Sequence, residues 1–406
     1  MIKITPIEIR NKEDARKFMA SLGVAKEGIN ILSPKSVHSA FKIEGIKSWE
    51  ANIIKQHMLS LGSDAAIERN ALMKNIKTTA FIFGNLSQLK KLSQKLKNQP
   101  FSLGAISKDI AFYLRNLEKK EFTLHARNKV LRIKKPVVCG IVNITDDSFS
   151  GDGLIGQAKR RGVKLQDLAL RQTESMIANG AKMIDIGGES SRPFSRQVKP
   201  KEEIKRIVPV LKAIRKRFKK IIISVDTYKY EVARASTDEG VDIINDITAL
   251  RADYRIASLI KKYRLGCVLM HMKGTPQTMQ INPKYKNVVE EEIDFFKARL
   301  EFCDQNAISR DRIIIDPGIG FGKNLKDNTR IINELYKFKI FGLPILLGLS
   351  RKSFIGKMLN IEVGQRLIGT IAASIISLTK GSNILRVHDV KETTQAIRMV
   401  SGIINN

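Results

Sequence analysis

Two cationic side chains, Arg386 and His388, stand two residues apart at the end of a β-branched segment near the C-terminus. Because side chains alternate between the two faces of a strand, both point to the same side. A guanidinium and an imidazole that converge in this way can bind an anion. An ordinary edge strand with solvated polar residues would explain this pair taken alone. The interpretation therefore depends on whether other segments end in the same way.

Short, nearly continuous apolar segments recur earlier in the chain, at residues 138–143, 183–187, 221–226, 242–246, 267–271, 313–316 and 344–348. Such segments are typical of parallel strands buried on both faces, and helical patterns lie between them. Eight strands alternating with helices predict an α/β fold of the (β/α)8 TIM-barrel type, in which active sites lie at the carboxyl ends of the strands. The polar residues at the predicted strand ends are Asn143, Asp226, Asn245, His271, Asp316, Arg386 and His388. We therefore expect them to form one site.

The expected site combines groups suited to two parts of one substrate. Buried carboxylates need hydrogen-bond donors, so a first set of polar residues suits the edge of a flat heterocycle rich in N–H groups. This set is Asp226, Asn245, Asp316 and Lys352. A second set suits a phosphate with bound magnesium, and comprises Asn143, Arg192, Arg386 and His388. The sequence thus predicts a flat heterocycle joined to a phosphorylated leaving group.

Three loops follow predicted strands and carry further polar or glycine residues. Residues 143–153 and 187–193 are rich in glycine, hydroxyl and charged side chains, which predicts loops that fold over a ligand, although plain helix-capping turns are the alternative. Residues 318–323 resemble a phosphate-binding loop but fail its spacing, and Asn324 replaces the required Ser or Thr. We expect these glycines to let the backbone approach a flat ligand beside Phe321. Ser350, His388 and a carboxylate would be the only nucleophilic set, and no spacing connects them.

The chain of 406 residues is longer than one barrel needs. We expect a smaller α/β domain over residues 1–131, in front of the barrel over 132–406. Periodicity predicts helices over 14–22, 49–61 and 86–96 and a strand over 78–83. His57 is a weak site candidate there, because a structural role or a dimer contact is the favoured explanation for a lone histidine on a mixed face. The sequence indicates no role for this domain.

Composition limits the partners. The net charge is +31, but residues 1–130 carry 23 Lys and Arg against 11 Asp and Glu, so the excess is spread along the chain. Spread charge without interleaved aromatic residues argues against a nucleic-acid platform. The longest uncharged apolar stretch, 367–379, has 13 residues and is too short to span a bilayer. Cys139, Cys267 and Cys303 are too few for a disulfide framework. We expect a cytoplasmic protein that binds neither nucleic acid nor membranes.

Taken in order, these segments resemble the dihydropteroate synthase family, which joins p-aminobenzoate to a pterin pyrophosphate in folate biosynthesis. The resemblance runs from about residue 137 to 399. It is carried by GIVNITDDSFS at 140–150, DIGGESSRP at 185–193, SVDT at 224–227, IND at 244–246, LMHM at 269–272, DPGIGFGK at 316–323, SRK at 350–352 and RVHDV at 386–390. One such motif is weak evidence, but ordered motifs on all the predicted strands are specific.

The resemblance implies a role for each matching residue. The pterin would be bound by Asp226, Asn245, Met270, Asp316, Phe321, Lys352 and Arg386. The pyrophosphate would be bound by Asn143, Arg192, Arg386 and His388, with Mg²⁺ bridging it to Asn143. The p-aminobenzoate pocket would contain Phe149, Ser191, Pro193 and Ser350. In this family pyrophosphate leaves first, the arylamine then attacks the exocyclic methylene, and the enzymes are commonly homodimers.

The sequence departs from the family pattern mainly around the second substrate. Asp146 stands where proline is usual, Ser191 where threonine is usual, and Phe194 where the family has a small residue. A methyltetrahydrofolate:corrinoid methyltransferase is the alternative enzyme, because it shares the barrel and the pterin-binding Asp and Asn. The methyltransferase would not need the pyrophosphate ligands Arg192, Arg386 and His388, and it would not need the SRK motif. A non-catalytic basic scaffold would leave the polar strand ends unexplained.

Overall fold

A computed structural model describes residues 2–72, 75–146, 153–190 and 195–405. The chain divides into two compact units, Met1–Lys119 with Ile340–Gly342, and Lys120–Lys339 with Leu343–Asn406. This division falls about twelve residues before the predicted boundary between residues 131 and 132, and the segment 340–342 groups with the first unit. The physical reason is a β-hairpin that packs into the core of the second unit.

The first unit is an α/β unit, as expected. Its helices are α1 (Lys12–Ser21), α2 (Lys26–Leu32), α3 (Ser48–Ser60), α4 (Leu86–Leu96) and α5 (Leu103–Leu117), and its strands are β1 (His38–Lys47), β2 (Asp64–Ile67) and β3 (Lys77–Asn85). The strands form an antiparallel sheet in the order β1-β3-β2. Side chains along β3 alternate between buried and exposed, so one face of the sheet packs on the helices and supplies Ala80 and Ile82 to the core. The three predicted helices and the predicted strand are confirmed.

The second unit begins with the hairpin β4 (Phe122–Ala126) and β5 (Lys129–Ile133). The barrel strands are β6 (Val137–Asn143), β7 (Met183–Gly187), β8 (Ile222–Asp226), β9 (Ile243–Asp246), β10 (Gly266–Met270), β11 (Ile313–Asp316), β12 (Leu346–Leu347) and β13 (Ile384–Val387). In the part of the chain that the structure describes, these eight strands form one parallel sheet in the order β11-β10-β9-β8-β7-β6-β13-β12. A bridge between Ile315 and Ile345 brings its two edges together. The TIM-barrel prediction is confirmed.

Helices on the outside of the barrel connect successive strands. They are α6 (Leu154–Arg161), α7 (Leu165–Ala178), α8 (Pro200–Arg217), α9 (Tyr230–Asp238), α10 (Arg255–Tyr263), α11 (Val288–Gln305), α12 (Leu325–Asn333), α13 (Ser353–Leu359), α14 (Leu367–Lys380) and α15 (Val390–Asn405). Short 3-10 helices cover Ser33–Lys35, Arg69–Leu72, Arg310–Arg312, Leu335–Phe341 and Val363–Gln365. Among the helices so described, none is long and apolar enough to cross a membrane.

The hairpin packs against the barrel at the amino ends of its strands. Phe122, Leu124 and Ile133 share a buried cluster with the first residues of several strands, including Val137 and Met183. Ion pairs reinforce this contact, because Lys129 Nζ lies 2.9 Å from Oδ2 of the buried Asp242. The amino end of the barrel is thus covered by packed side chains, and the polar strand ends lie at the opposite end.

Candidate active site

Four strand ends bring two carboxylates, an amide and a guanidinium together. Arg386, at the end of β13, donates from Nε to Asp185 Oδ2 at 2.6 Å and from Nη2 to Asp226 Oδ2 at 3.0 Å. Asn245 donates from Nδ2 to the same Asp185 oxygen at 3.2 Å. Adjacent parallel strands set this arrangement, since Asp226 on β8 pairs in register with Asn245 on β9. We call these four residues the arginine cluster.

Burial controls the charges of the arginine cluster. It raises the pKa of Asp226 to about 7, with the negative charge of Asp185 adding to the rise and Arg386 opposing it. Although burial disfavours its cation, the two carboxylates hold the pKa of Arg386 above its ordinary value. Within the described residues, Asp185 Oδ1 and Asn245 Oδ1 are buried without a hydrogen-bond partner. The cluster therefore has more acceptors than donors, and a ligand with N–H groups would satisfy them.

A second charged pair lies at the ends of β11 and β12. Asp316 is buried and accepts from the Gly318 amide at 2.8 Å, and burial raises the pKa of its carboxyl while Lys352 opposes the rise. Burial lowers the pKa of Lys352 to about 7, although Asp316 favours its cation. A Cβ built on Gly348 would lie 3.9 Å from both Lys352 Nζ and Arg386 Cδ. This pair is therefore continuous with the arginine cluster.

An apolar surface completes this part of the site. Met270, at the end of β10, is buried together with Ile247, Met272 and Met279, and Tyr228 and Phe321 pack against them. The ammonium of Lys352 lies 4.5 Å from the centre of the Phe321 ring and also donates to the carbonyl oxygen of Ile319. Polarisable thioethers and ring faces beside hydrogen-bonding groups suit a flat polar heterocycle.

Ser350 and His388 lie side by side, although their spacing in the sequence did not predict this contact. His388 Nδ1 lies 2.9 Å from Ser350 Oγ, and the His388 amide donates to the same oxygen at 3.3 Å. The adjacent carboxylate, Asp389, forms two bonds with the Arg351 guanidinium, at 2.5 and 3.1 Å. Asp389 is thus engaged by a guanidinium, so this serine and histidine do not form a hydrolase triad with it.

The structure describes only some of the remaining predicted residues. Asn143 ends β6 and pairs in register with Gly187 on β7, beside the arginine cluster. Phe149, Ser191, Arg192, Pro193 and Phe194 lie outside the described residues. His271 differs from the expectation, because its ring contacts Lys323, Glu292 and Phe295. It therefore belongs to the packing between β10 and α11, and burial lowers its pKa.

Charged side chains also hold the described residues that follow β6 and β7. Arg206, on α8, donates to Asp146 Oδ2 at 2.8 Å and to the carbonyl oxygen of Gly188 at 3.2 Å, so one guanidinium connects the starts of both loops. Lys229 Nζ contacts the carboxylates of Glu189 and Glu203, the latter at 2.5 Å. Asp146, the departure from the family pattern, thus has a defined partner.

Sequence reasoning quoted Asp185 and Lys323 within motifs but gave neither a site role, and it omitted Glu292. All three are buried charges. The available signal was a charged residue inside an apolar strand, since Asp185 stands between Ile184 and Ile186. Glu292 gave a weaker signal, because α11 begins with several glutamates and only the fold shows which one points inward.

Comparisons with known proteins agree with this geometry. Residues 139–388 match the family model of pterin-binding enzymes. Dihydropteroate synthase of Escherichia coli K12 is 42% identical over 282 residues, which cover 70% of this chain and 96% of that protein. The dihydropteroate synthase of Yersinia pestis, solved with a sulfonamide drug, superposes with a TM-score of 0.66 at 39% identity and covers 70% of this chain and 100% of its own.

A further solved structure, the Xanthomonas albilineans dihydropteroate synthase with 4-aminobenzoic acid, gives a TM-score of 0.64 at 34% identity, covering 70% of this chain and 99% of its own. The residues matched by the family model, 139–388, span every strand end that contributes to the site.

Proposed function

This chain belongs to the dihydropteroate synthase family of pterin-binding enzymes, and we propose on that premise that it is a transferase of folate biosynthesis. It would condense 6-hydroxymethyl-7,8-dihydropterin pyrophosphate with p-aminobenzoate, giving 7,8-dihydropteroate and pyrophosphate. The observation that carries this proposal is the excess of buried acceptors in the arginine cluster, next to the Asp316–Lys352 pair.

The pterin supplies what these groups need. Its amino-pyrimidine edge is rich in N–H donors, which Asp316, Asp226 and Asn245 would accept, and its carbonyl would accept from Lys352. Because the Asp316 carboxyl is buried and the Asp226 carboxyl is only 17% exposed, leaving them without donors is costly, so recognition would be specific for a donor-rich ring. Met270 and Phe321 would flank the ring, and the Arg386 guanidinium would stack on it.

The pyrophosphate would be held by Asn143, Arg192, Arg386 and His388. These groups would stabilise the negative charge that accumulates on the departing oxygen as the C–O bond to the methylene breaks. Arg386 would contact both the pterin and the pyrophosphate. Asp185 and Asp226 already fix its guanidinium. No covalent intermediate with the protein is needed.

The donor set is compatible with a magnesium ion that arrives with the substrate. In the described ranges, no group of three His, Cys, Asp or Glu side chains could hold a metal ion. Mg²⁺ typically keeps several waters and binds one or two protein oxygens plus substrate phosphates, so a single amide oxygen from Asn143 fits this mode. When bound, the ion would neutralise charge on the leaving group.

The second substrate would occupy a pocket built from Phe149, Ser191, Pro193 and Ser350. Its amine forms the new N–C bond at the exocyclic methylene and loses a proton, which balances the departure of pyrophosphate. The distance of 2.9 Å between Ser350 Oγ and His388 Nδ1 supports a pocket next to the proposed pyrophosphate position. Since a related structure contains a sulfonamide drug, we expect sulfonamides to compete for the same pocket.

A homodimer is part of this proposal. Helix α14 buries the hydroxyl side chains Thr370, Ser374 and Ser377 and leaves Ile368 80% exposed. Together with exposed Met358 and Leu359 on α13, and Met399 and Ile403 on α15, this forms an apolar surface that a second copy would cover.

The buried, unpaired Cys139, Cys267 and Cys303 fit a reducing cytoplasm.

One assay tests the proposed function. The purified chain should form dihydropteroate from the two substrates in the presence of Mg²⁺, and chelation should stop the release of pyrophosphate. Binding of 6-hydroxymethylpterin, measured by calorimetry, provides a readout that needs no metal. Asp316→Ala should weaken it by about 2–4 kcal/mol, since the ring's donors lose a buried partner. Methyl transfer to a corrinoid protein, with no dihydropteroate formed, would identify the alternative enzyme instead.

A further inference from the structure

A fully buried lysine lies behind the proposed pterin site. The Lys323 side chain is 0% exposed, as is that of Glu292, and Lys323 Nζ lies 3.1 Å from Glu292 Oε1. The same ammonium donates to the carbonyl oxygens of Gly318 at 3.1 Å and Phe321 at 3.2 Å, and it lies 2.9 Å from His271 Nδ1. One charge therefore connects β10, α11 and the loop after β11.

That loop, residues 316–322, is held through its backbone groups, and the carbonyl oxygens of Gly320 and Gly322 also accept from Gln280 and Tyr285. Gly318, Gly320 and Gly322 all have positive φ angles, which favour glycine. A Cβ on Gly318 would lie 2.0 Å from the His271 carbonyl oxygen, so side chains are excluded where the loop meets β10. Because three glycines contribute no side-chain packing, hydrogen bonds to backbone groups must fix the loop.

The loop carries the groups that would meet the pterin. It begins at Asp316, which accepts from the Gly318 amide, and it ends near Phe321, whose ring lines the apolar surface. Lys323 holds the loop at the carbonyls of Gly318 and Phe321, between which the loop backbone reverses. A shift of either carbonyl would therefore move the carboxylate or the ring.

Glu292 and His271 make the buried ammonium tolerable. Burial lowers the pKa of Lys323 and raises that of Glu292 to about 7, while each partner opposes the other's shift, so each charge depends on its partner. His271 stays neutral, because burial lowers its pKa, and its Nδ1 can then accept from the ammonium. Lys323, Glu292 and His271 thus form one buried cluster, and they come from the loop after β11, from α11 and from the end of β10.

We propose that Lys323 is a positioning residue of the pterin site, which holds the 316–322 loop in the shape that presents Asp316 and Phe321 to the ring. This inference rests on the proposed function, because it assigns the loop to pterin recognition. Lys323 would not touch the substrate. Its effect should appear in the KM for the pterin substrate and not in the KM for p-aminobenzoate.

The test replaces the buried ion pair by apolar side chains, in the double variant Lys323→Met/Glu292→Leu. Such replacements often preserve stability, so the denaturation midpoint should stay near that of the wild type. The carbonyls of Gly318 and Phe321 nevertheless lose the ammonium donor of Lys323, and Gly318 keeps only its bond from the Phe321 amide. The matched control is Lys297→Met/Asp294→Leu, an exposed pair on the same helix α11. If the double variant does not fold, Lys323→Met/Glu292→Gln, which also removes the donor and both buried charges, replaces it with the same expected results.

Two measurements follow. The KM for the pterin pyrophosphate should rise about tenfold or more, the effect of losing hydrogen bonds from a charged group, while the KM for p-aminobenzoate stays within about twofold. Amide hydrogen exchange over residues 318–322 should become faster, because the Gly318, Gly320 and Phe321 amides are hydrogen-bonded in the folded loop. The control should change neither.

The outcomes separate this inference from the proposed function. A double variant with unchanged pterin KM, or with unchanged exchange in the loop, overturns the role of Lys323. An equal rise in both KM values also overturns it, since that would indicate a general loss of structure. If the wild type forms no dihydropteroate, the proposed function fails, and the exchange measurement alone decides whether Lys323 fixes the loop.

Discussion

Asp185→Asn removes one negative charge from the arginine cluster and keeps the shape of the side chain. Asp185 is 1% exposed, and its Oδ2 accepts from both Arg386 and Asn245. Asparagine can still accept from Arg386, but without the charge that strengthens this bond. The guanidinium would then be held mainly by Asp226, so it should move away from the position that connects the pterin and the pyrophosphate.

The size of the effect follows from these contacts. A hydrogen bond to a charged group contributes about 1.5–3 kcal/mol, and Arg386 retains the bond to Asp226, so the full cost of an unpaired buried charge does not apply. If this loss appears in the transition state, kcat/KM for the pterin substrate should fall by about 10- to 150-fold. The folded structure should persist, because one carboxylate still neutralises the arginine.

The pH profile gives a second, independent signature. Asp226 would accept from the N–H groups of the ring most strongly when ionised, and its pKa is raised to about 7, so kcat/KM should fall as the pH drops below about 7. Lys352, whose pKa is lowered to about 7, should cause a fall on the alkaline side, where its ammonium is lost. Since the charge of Asp185 helps to raise the pKa of Asp226, Asp185→Asn should move the acid limb to lower pH.

The assay is kcat/KM for the pterin pyrophosphate between about pH 5 and 9, with saturating p-aminobenzoate. Asp238→Asn is the control, because Asp238 forms an exposed i,i+4 pair with Arg234 on α9 and such pairs contribute little. An acid limb that stays in place in Asp185→Asn would refute the electrostatic coupling. A loss of activity no larger than that of the control would refute the role of Asp185 in holding Arg386.

Two further predictions concern other parts of the barrel. Arg206→Ala removes the guanidinium that connects Asp146 with the start of the second loop. Steady-state kinetics should therefore show a raised KM for p-aminobenzoate and an unchanged KM for the pterin substrate. Equal rises in both KM values would contradict this assignment. Asp242→Asn leaves Arg215 and Lys129 without their buried carboxylate at the covered end of the barrel, so urea denaturation should show a loss of about 3–5 kcal/mol. Pterin affinity should not change in that variant, and a large change would mean that the two ends are coupled.

The barrel was predictable because its strands carry their own signal. Each is a short apolar segment, most of them end on a polar residue, and the predicted limits of β7 and β11 agree with the structure to the residue. The domain boundary was not predictable in this way. The β4–β5 hairpin alternates between buried and exposed residues like any two-stranded unit, and only its packing against Val137 and Met183 assigns it to the barrel.

The site was predictable for side chains that end strands and unpredictable for those that act through others. Asp226, Asp316 and Arg386 are identified by position alone, because strand ends of a barrel share one rim. Asp185 is 201 residues from Arg386 in sequence, and nothing local indicates that the two form a bond of 2.6 Å. Lys323 similarly depends on Glu292, which belongs to a different element. Partners of this kind become visible only when the fold is known.

Burial explains both the specificity of the site and its dependence on supporting charges. The same exclusion of water that raises the pKa of Asp226 and Asp316 makes each unsatisfied acceptor costly, so a ring that lacks donors would be rejected strongly. The carboxylates can keep this arrangement only while Arg386 and Lys352 remain close to them. In the proposed site neither cation can be replaced by water, so Asp185 would also support recognition by holding Arg386 in place.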